Sequence, residues 1–577
     1  MASETERDDA PYDVIICGGG LAGLALARQL RLTDSAGRIL VLDRLRRPLP
    51  ASTLKVGEST IESGAFYYAQ TLQLADYLET SHLEKLGLRY FYGGGHRDFA
   101  SRPEYGVARF LPAKSYQLDR GLLENHLRDL VVGAGVELLE GVYLKDIELR
   151  PQEPHHLVRY LADGREVTAR ARWVVDASGR RRMLQRKLGL TKENEGCFNS
   201  AWFRVEGRVS VSDWVSKDNA RWHARVQEDR WHSTTHLMGP GYWLWLIPLS
   251  PRNTSIGIVA TEKLHPFETY STYERAMDWI RKHEPLAAER LKGHALLDFL
   301  KLKNYSYTSH QAFSADRWAC VGEAAVFADP YYSVGSNMIA FANGFVQKMI
   351  QLDRRGELDQ AYADHANRSF LSLNDALTDT IHRLYEFHHN APVMAFKTIW
   401  DYYVGWSTTD PQLYHEVFLD PRRAKAMSGV IAHVIVAQAR MMQLFEDWAR
   451  RPSRLTFEFL DYVDDLPTLK HLFVTNLPPR KADFADVLAN LREAVNRIEE
   501  LAHVIFSLAL RDVLPGSLPE IEQGRGWINI AAISLDPSRW QADGLFEPRS
   551  SPRDYSAQAH EIERLFTWVP AERALSA

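Results

Sequence analysis

The stretch Gly18-Gly19-Gly20-Leu21-Ala22-Gly23 has the spacing GxGxxG. Glycines in this pattern permit a tight turn and let backbone N–H groups approach a diphosphate at the positive end of a helix. Asp43, with Arg44 beside it, follows twenty residues past Gly23, where a carboxylate accepts hydrogen bonds from a ribose. A second chemistry is suggested by Trp243-Leu244-Trp245-Leu246-Ile247-Pro248. Side chains alternate along a strand, so Trp243, Trp245 and Ile247 share one face, and two indoles there form a bulky apolar wall. Plainer uses exist for both: a structural glycine turn, or two tryptophans that fill a core. The three cysteines, Cys17, Cys197 and Cys320, are far apart and form no metal or disulfide pattern, which fits a reducing cytoplasm.

The elements around these residues follow from apolar patterning. Residues 13–17 and 38–42 read as short buried strands, and Leu21 to Leu32 as the helix between them, a βαβ unit at the N-terminus. An amphipathic helix over 121–132 leads to a strand over 135–139. Residues 156–176 form a hairpin and a strand ending Trp173-Val174-Val175-Asp176. Aromatic alternation from about 200 to 260 reads as antiparallel sheet, and 318–321 as a last buried strand. Helical periodicity dominates 350–450 and 483–512. The chain is therefore expected to divide into a core over 10–345, with an antiparallel substrate sheet over about 200–310, and a mainly helical unit over 346–577.

Three more segments carry a resemblance. Asp176-Ala177-Ser178-Gly179-Arg180 closes a strand, Gly322-Glu323 follows another and runs on to Asp329-Pro330, and Gln117-Leu118-Asp119-Arg120 leads a helix. In this order they resemble the FAD-dependent monooxygenase family. That implies an α/β fold: a Rossmann-like FAD/NAD(P)-binding domain of the flavin monooxygenase type, with an inserted antiparallel sheet and a C-terminal helical unit. Glu323 stands where that family usually has Asp. The resemblance narrows at Val56-Gly57-Glu58-Ser59 and at the Trp-x-Trp-x-Ile-Pro run of residues 243–248, both similar to segments of flavin-dependent halogenases. In that family the tryptophan wall lies between flavin and substrate.

The resemblance implies the remaining assignments. Lys85, 27 residues after Glu58 and just before an aromatic strand, falls where halogenases carry their catalytic lysine. FAD is expected along Gly18, Gly20, Leu21, Ala22, Gly23, Asp43, Arg44, Glu58, Ser59, Arg120, Asp176, Gly322, Glu323, Asp329, Gly335 and Ser336. Halide is expected at the backbone of Val334 and Gly335, where valine replaces the family's hydroxyl residue. Tyr332 occupies the position of a glutamate in tryptophan halogenases, which points to phenols, pyrroles or carrier-bound substrates. The implied reaction uses FADH2 from a separate flavin reductase, O2, and chloride or bromide, and Lys85 delivers the resulting hypohalous acid to an electron-rich aromatic. Two rivals share the scaffold: a flavin hydroxylase or oxidative decarboxylase that uses no halide, and a flavin-dependent reductase of isoprenoid double bonds.

Composition bounds the rest. The chain has 577 residues, a net charge of −5 and ordinary globular composition, so neither nucleic acid nor an anionic membrane surface is an expected partner. No apolar run approaches the length needed to span a bilayer. The acidic first nine residues read as a tail, and nothing suggests a metal site.

Overall fold

Val14, Ile15, Ile16 and Cys17 are all fully buried, the mark of a strand covered on both faces. This strand, Tyr12–Cys17, is the centre of a sheet in the computed structural model, which describes residues 10–50, 55–250, 252–477, 482–518 and 526–569. The acidic segment read as a tail lies outside the described residues. Tyr12–Cys17 pairs in parallel with Ile39–Asp43 on one side and Arg165–Asp176 on the other. The sheet continues to Glu137–Glu140 at one end and through Trp318–Cys320 to Phe313–Ser314 at the other. Tyr143–Glu148 and His156–Ala162 attach as an antiparallel extension of Arg165–Asp176.

This order brings the carboxyl ends of four parallel strands, at Cys17, Asp43, Asp176 and Cys320, to one edge. Parallel α/β sheets bind ligands at that edge. The glycine turn, Arg44 and the Ala177–Gly179 turn each directly follow one of these strand ends, and Gly322 follows the last after Val321.

The chain separates into two units that are not consecutive in sequence. The first comprises residues 1–82, 118–195 and 305–378; the second comprises 83–117, 196–304 and 379–577. The boundary expected at 345 falls inside the helix Gly335–Arg354, which stays with the first unit. The reason is packing: Asn343 Nδ2 donates to the Ala22 carbonyl, and Asp353 accepts two hydrogen bonds from the Arg172 guanidinium and one from Trp173 Nε1. The sheet expected inside a 10–345 core belongs instead with the helices after 379.

In the second unit the sheet has eight strands, ordered Leu296–Leu302, Phe198–Val205, Asn253–Thr261, Tyr242–Leu249, Thr234–Gly239, Leu88–Phe91, Glu104–Gly106 and Phe459–Asp461. The first five pair antiparallel as expected. Two further pairings, Thr234–Gly239 with Leu88–Phe91 and Glu104–Gly106 with Phe459–Asp461, are parallel, so the sheet is mixed. Long helices follow over Pro421–Ala449 and Phe484–Val513. Among the described residues no helix is long and apolar enough to cross a membrane.

Candidate active site

In the first unit, Gly20 is the N-cap of the helix Leu21–Leu32 and has no side chain to cap it, so first-turn N–H groups remain as donors for an anion. Gly322 has a φ of +59°, and a Cβ there would come within 2.7 Å of Ala22 Cβ; its lack of a side chain lets the late strand close on the start of this helix. Asp43 is held by Arg128, whose guanidinium also donates to the Gly19 carbonyl and to Glu140. Arg44 is exposed.

The helix Arg120–Gly133 starts at Asp119, whose carboxylate caps it through Gly121 and Leu122. Arg120 donates to the Val56 and Gly57 carbonyls and to Glu124. Glu124 is fully buried and also takes Lys55. Burial alone would raise its pKa, but Arg120 and Lys55 hold it below the ordinary carboxylate range. Lys55 is pulled down by burial, against the attraction of Glu124. The Glu58 and Ser59 side chains are buried, and the Glu58 carbonyl accepts from Leu118 N at 2.6 Å. The expected cofactor segments 18–23, 43–44, 56–59 and 120 are thus joined through three groups the sequence did not flag: Lys55, Glu124 and Arg128. They lack a motif of their own because each lies inside an ordinary helix or segment pattern.

Asp176 requires a correction. It was expected at the cofactor, but it is fully buried, and its two oxygens accept from Ser178 N at 3.0 Å and Leu184 N at 2.8 Å. Burial raises its pKa against those hydrogen bonds. Its work is to shape the 177–184 turn.

The halide candidates also lie in this unit. Val334 is the N-cap of the helix Gly335–Arg354, again with no side-chain acceptor, and a Cβ at Gly335 would meet nothing within 4 Å among the described residues. The backbone N–H groups of Val334 and Gly335 thus lie at a helix N-terminus, which suits a small anion. Ser336 accepts from Tyr68 Oη at 3.2 Å. Asp329 accepts from Tyr331 N at 2.9 Å and from Tyr305 Oη at 2.5 Å. Glu323 lies 3.5 Å from Arg180, and its carbonyl accepts from Tyr307 Oη. Tyr305, Tyr307 and Arg180 frame this turn without having been expected there.

The cradle fits FAD: open glycine space at a helix N-terminus, a nearby ammonium, and a carboxylate at the end of the second strand. Among the described residues no group of His, Cys, Asp or Glu could hold a metal.

The second unit holds Lys85, which is buried. Its backbone is fastened on both sides: Lys85 N donates to the Ser115 carbonyl at 2.8 Å, and Leu86 N donates to the His232 carbonyl at 3.0 Å. Ser233 Oγ donates to the Leu86 carbonyl and accepts from Arg89 Nε. Gly87, at a φ of +58°, packs so closely on the Tyr462 hydroxyl that a Cβ would overlap it.

Trp243 and Trp245 share a face, with ring centroids 5.6 Å apart. The opposite face, with Tyr242, Leu244 and Leu246, joins the unit's hydrophobic core beside Phe203, Ile256 and Ile258. Both indoles are buried, and their N–H groups donate to Tyr385 Oη at 2.8 Å and Ser255 Oγ at 3.1 Å. Ile247 and Pro248 are buried in the same strand. The late helices bring further groups to this unit's interior. Lys397 pairs with Asp401, both buried, and Trp243 lies 5.0 Å from the His236 ring. Burial drives the pKa of His388 well down, with Lys397, His389 and His236 adding to the shift.

A family model described as FAD binding domain matches residues 11–342. The chain belongs to the FAD binding domain family. Within it, the chain is similar to flavin-dependent halogenases. It is 29% identical over 429 residues to a flavin-dependent halogenase of Dictyostelium discoideum, covering 69% of each chain. It is 25% identical over 398 residues to a 1H-pyrrole-2-carbonyl peptidyl-carrier-protein chlorinase of Pseudomonas fluorescens, covering 66% of this chain and 83% of that one. The fold matches the crystal structure of the halogenase PltM in complex with phloroglucinol and FAD, with a TM-score of 0.60 and 17% identity over 89% of this chain and 98% of that one. This member of the family is an oxidoreductase that binds FAD.

Proposed function

We propose that the protein is a cytoplasmic FADH2- and O2-dependent halogenase that acts on an electron-rich phenolic or pyrrolic ring, free or tethered to a carrier protein. Bound FADH2, delivered by a separate reductase, supplies with O2 the oxidising equivalent that turns chloride or bromide into hypohalous acid. Gly18, Gly20, Leu21, Ala22, Gly23, Asp43, Arg44, Glu58, Ser59 and Arg120 would hold the cofactor's adenosine and diphosphate side. Gly322, Glu323, Asp329, Gly335 and Ser336 would hold its flavin side, and the Val334 and Gly335 N–H groups the halide. Lys85 would hydrogen-bond the hypohalous oxygen. As the ring carbon takes the halogen, the ammonium protonates the leaving hydroxide to water. The proton that the ring then gives up returns the lysine from amine to ammonium. Trp243 and Trp245 would wall the flavin from the substrate, so that oxygen is not inserted directly.

The observation that carries this reading is Lys85 itself: a buried lysine whose backbone is pinned by hydrogen bonds on both sides, in the unit that also carries two buried tryptophans on one face of one strand. The pyrrole and carrier-protein substrates named for a relative support the ring class. The test is mass spectrometry of phenols and carrier-bound pyrroles incubated with a flavin reductase, with and without chloride or bromide. Halogenated product that vanishes in Lys85→Ala supports the reading. Val334 favours a second reading, a hydroxylase without halide, because the hydroxyl expected there is absent; an oxygenated product that ignores halide would select it.

A further inference from the structure

Three of the four glycines in the dinucleotide turn are closed in. A Cβ at Gly18 would overlap the Ala177 carbonyl, one at Gly19 would lie 2.8 Å from the Asp43 side chain, and one at Gly23 would overlap the Gly18 carbonyl. Gly20 differs. Within 4 Å a Cβ there would meet, among the described residues, Lys55 Nζ alone, at 3.9 Å. The open space at the start of the helix Leu21–Leu32 is therefore bordered by an ammonium as well as by first-turn N–H groups.

The charges around Lys55 are unevenly shared. Its side chain is 22% exposed and meets Glu124, which is fully buried and is also taken by Arg120. Asp43, the other acid near the turn, is engaged by Arg128. Of Lys55, Arg120 and Glu124, two are cations and one is an anion. An ammonium at this edge, only partly enclosed, can take a further anionic contact from the open side.

We propose that Lys55 binds the cofactor's diphosphate from the side opposite the helix N-terminus, and that Glu124, anchored by Arg120, is the positioning residue that holds the ammonium at Gly20. Lys55 directly precedes Val56 and Gly57, whose carbonyls also accept from Arg120, so one guanidinium sets both the segment and the carboxylate. A compact ammonium on a flexible stem suits a phosphate point contact. The inference rests on FAD binding and is independent of halogenation.

The test titrates FAD, ADP and riboflavin into the full chain, as wild type, Lys55→Met and Lys55→Arg, at low and high salt. Lys55→Met keeps the apolar stem and removes the charge. It is expected to weaken FAD and ADP by about tenfold or more and to flatten their salt dependence. Riboflavin, which has no phosphate, should change by less than about twofold, and Lys55→Arg should recover most of the FAD affinity. Three results would overturn the assignment: FAD affinity in Lys55→Met within about twofold of wild type, equal weakening of riboflavin and ADP, or no recovery in Lys55→Arg.

Discussion

In the unit built from residues 1–82, 118–195 and 305–378, the candidate cofactor groups are mostly backbone: uncapped helix ends at Gly20 and Val334 and turns at the edge of a parallel sheet. In the unit built from 83–117, 196–304 and 379–577, the candidate groups are side chains drawn from distant segments, such as Lys85 and Trp243, which meets Tyr385. Backbone sites need glycine and a helix at fixed offsets, so they leave contiguous motifs. Side-chain sites need only that the fold bring residues together, and their sequence trace is scattered. The two regions should therefore respond differently to substitution, the first through cofactor affinity and the second through the fate of the oxidant.

The largest effect should separate them outright. Lys85→Ala is expected to lower halogenated product by about a thousandfold, the scale of a lost proton donor, while FAD affinity and flavin reoxidation stay near wild type. Halogenation at a comparable rate in that variant would end the contrast. The mirror experiment is Gly20→Val. A branched side chain would fill the space beside Lys55, and FAD affinity, read by fluorescence titration, should fall about a hundredfold.

A pH experiment probes the first unit alone. His82 Nδ1 accepts from Asp119 N at 3.2 Å, so the imidazole is neutral there, and burial, reinforced by His126, pushes its pKa down to about 4 from an ordinary 6.5. The unfolded chain takes up a proton near the ordinary value and the folded chain does so only near the lowered one. The stability His82 contributes is present above the ordinary value and is lost as pH falls toward the lowered one. Between pH 7 and 5 this amounts to about 2 kcal/mol in urea unfolding. His82→Gln should flatten that part of the profile.

Two smaller effects sharpen the second unit. Gly87→Ala should displace the Lys85 turn, because the new methyl overlaps the Tyr462 hydroxyl. Product formation is expected to drop about tenfold at unchanged FAD affinity, with partial recovery when Tyr462→Phe is added. Trp243→Phe removes the donor to Tyr385 and should cost about 1 kcal/mol of stability by urea unfolding.

The same contrast explains what the sequence revealed. The βαβ unit was legible because strand, glycine turn, helix and Asp43 are consecutive, and the strand at 12–17 and helix at 21–32 appear where the pattern put them. The face shared by Trp243 and Trp245 was legible because strand periodicity is local. The unit boundaries were not: nothing in residues 335–354 announces that this helix packs on the first sheet through Asn343 and Asp353. Nor could spacing show that Asp176 spends both oxygens on neighbouring backbone, or that Phe459–Asp461 pairs with Glu104–Gly106. Those facts depend on which segments meet, and local patterning is silent on that.

The strand order of the first sheet also sets a timetable for synthesis. Tyr12–Cys17 meets Ile39–Asp43 early, but its other flank waits for Arg165–Asp176, and that strand in turn waits for Trp318–Cys320. At ~5–20 residues per second, the nascent chain holds an unpaired sheet edge for tens of seconds before Cys320 emerges. Unpaired strand edges invite association, so yield in a foreign host should depend on translation speed more than on the stability of the finished fold.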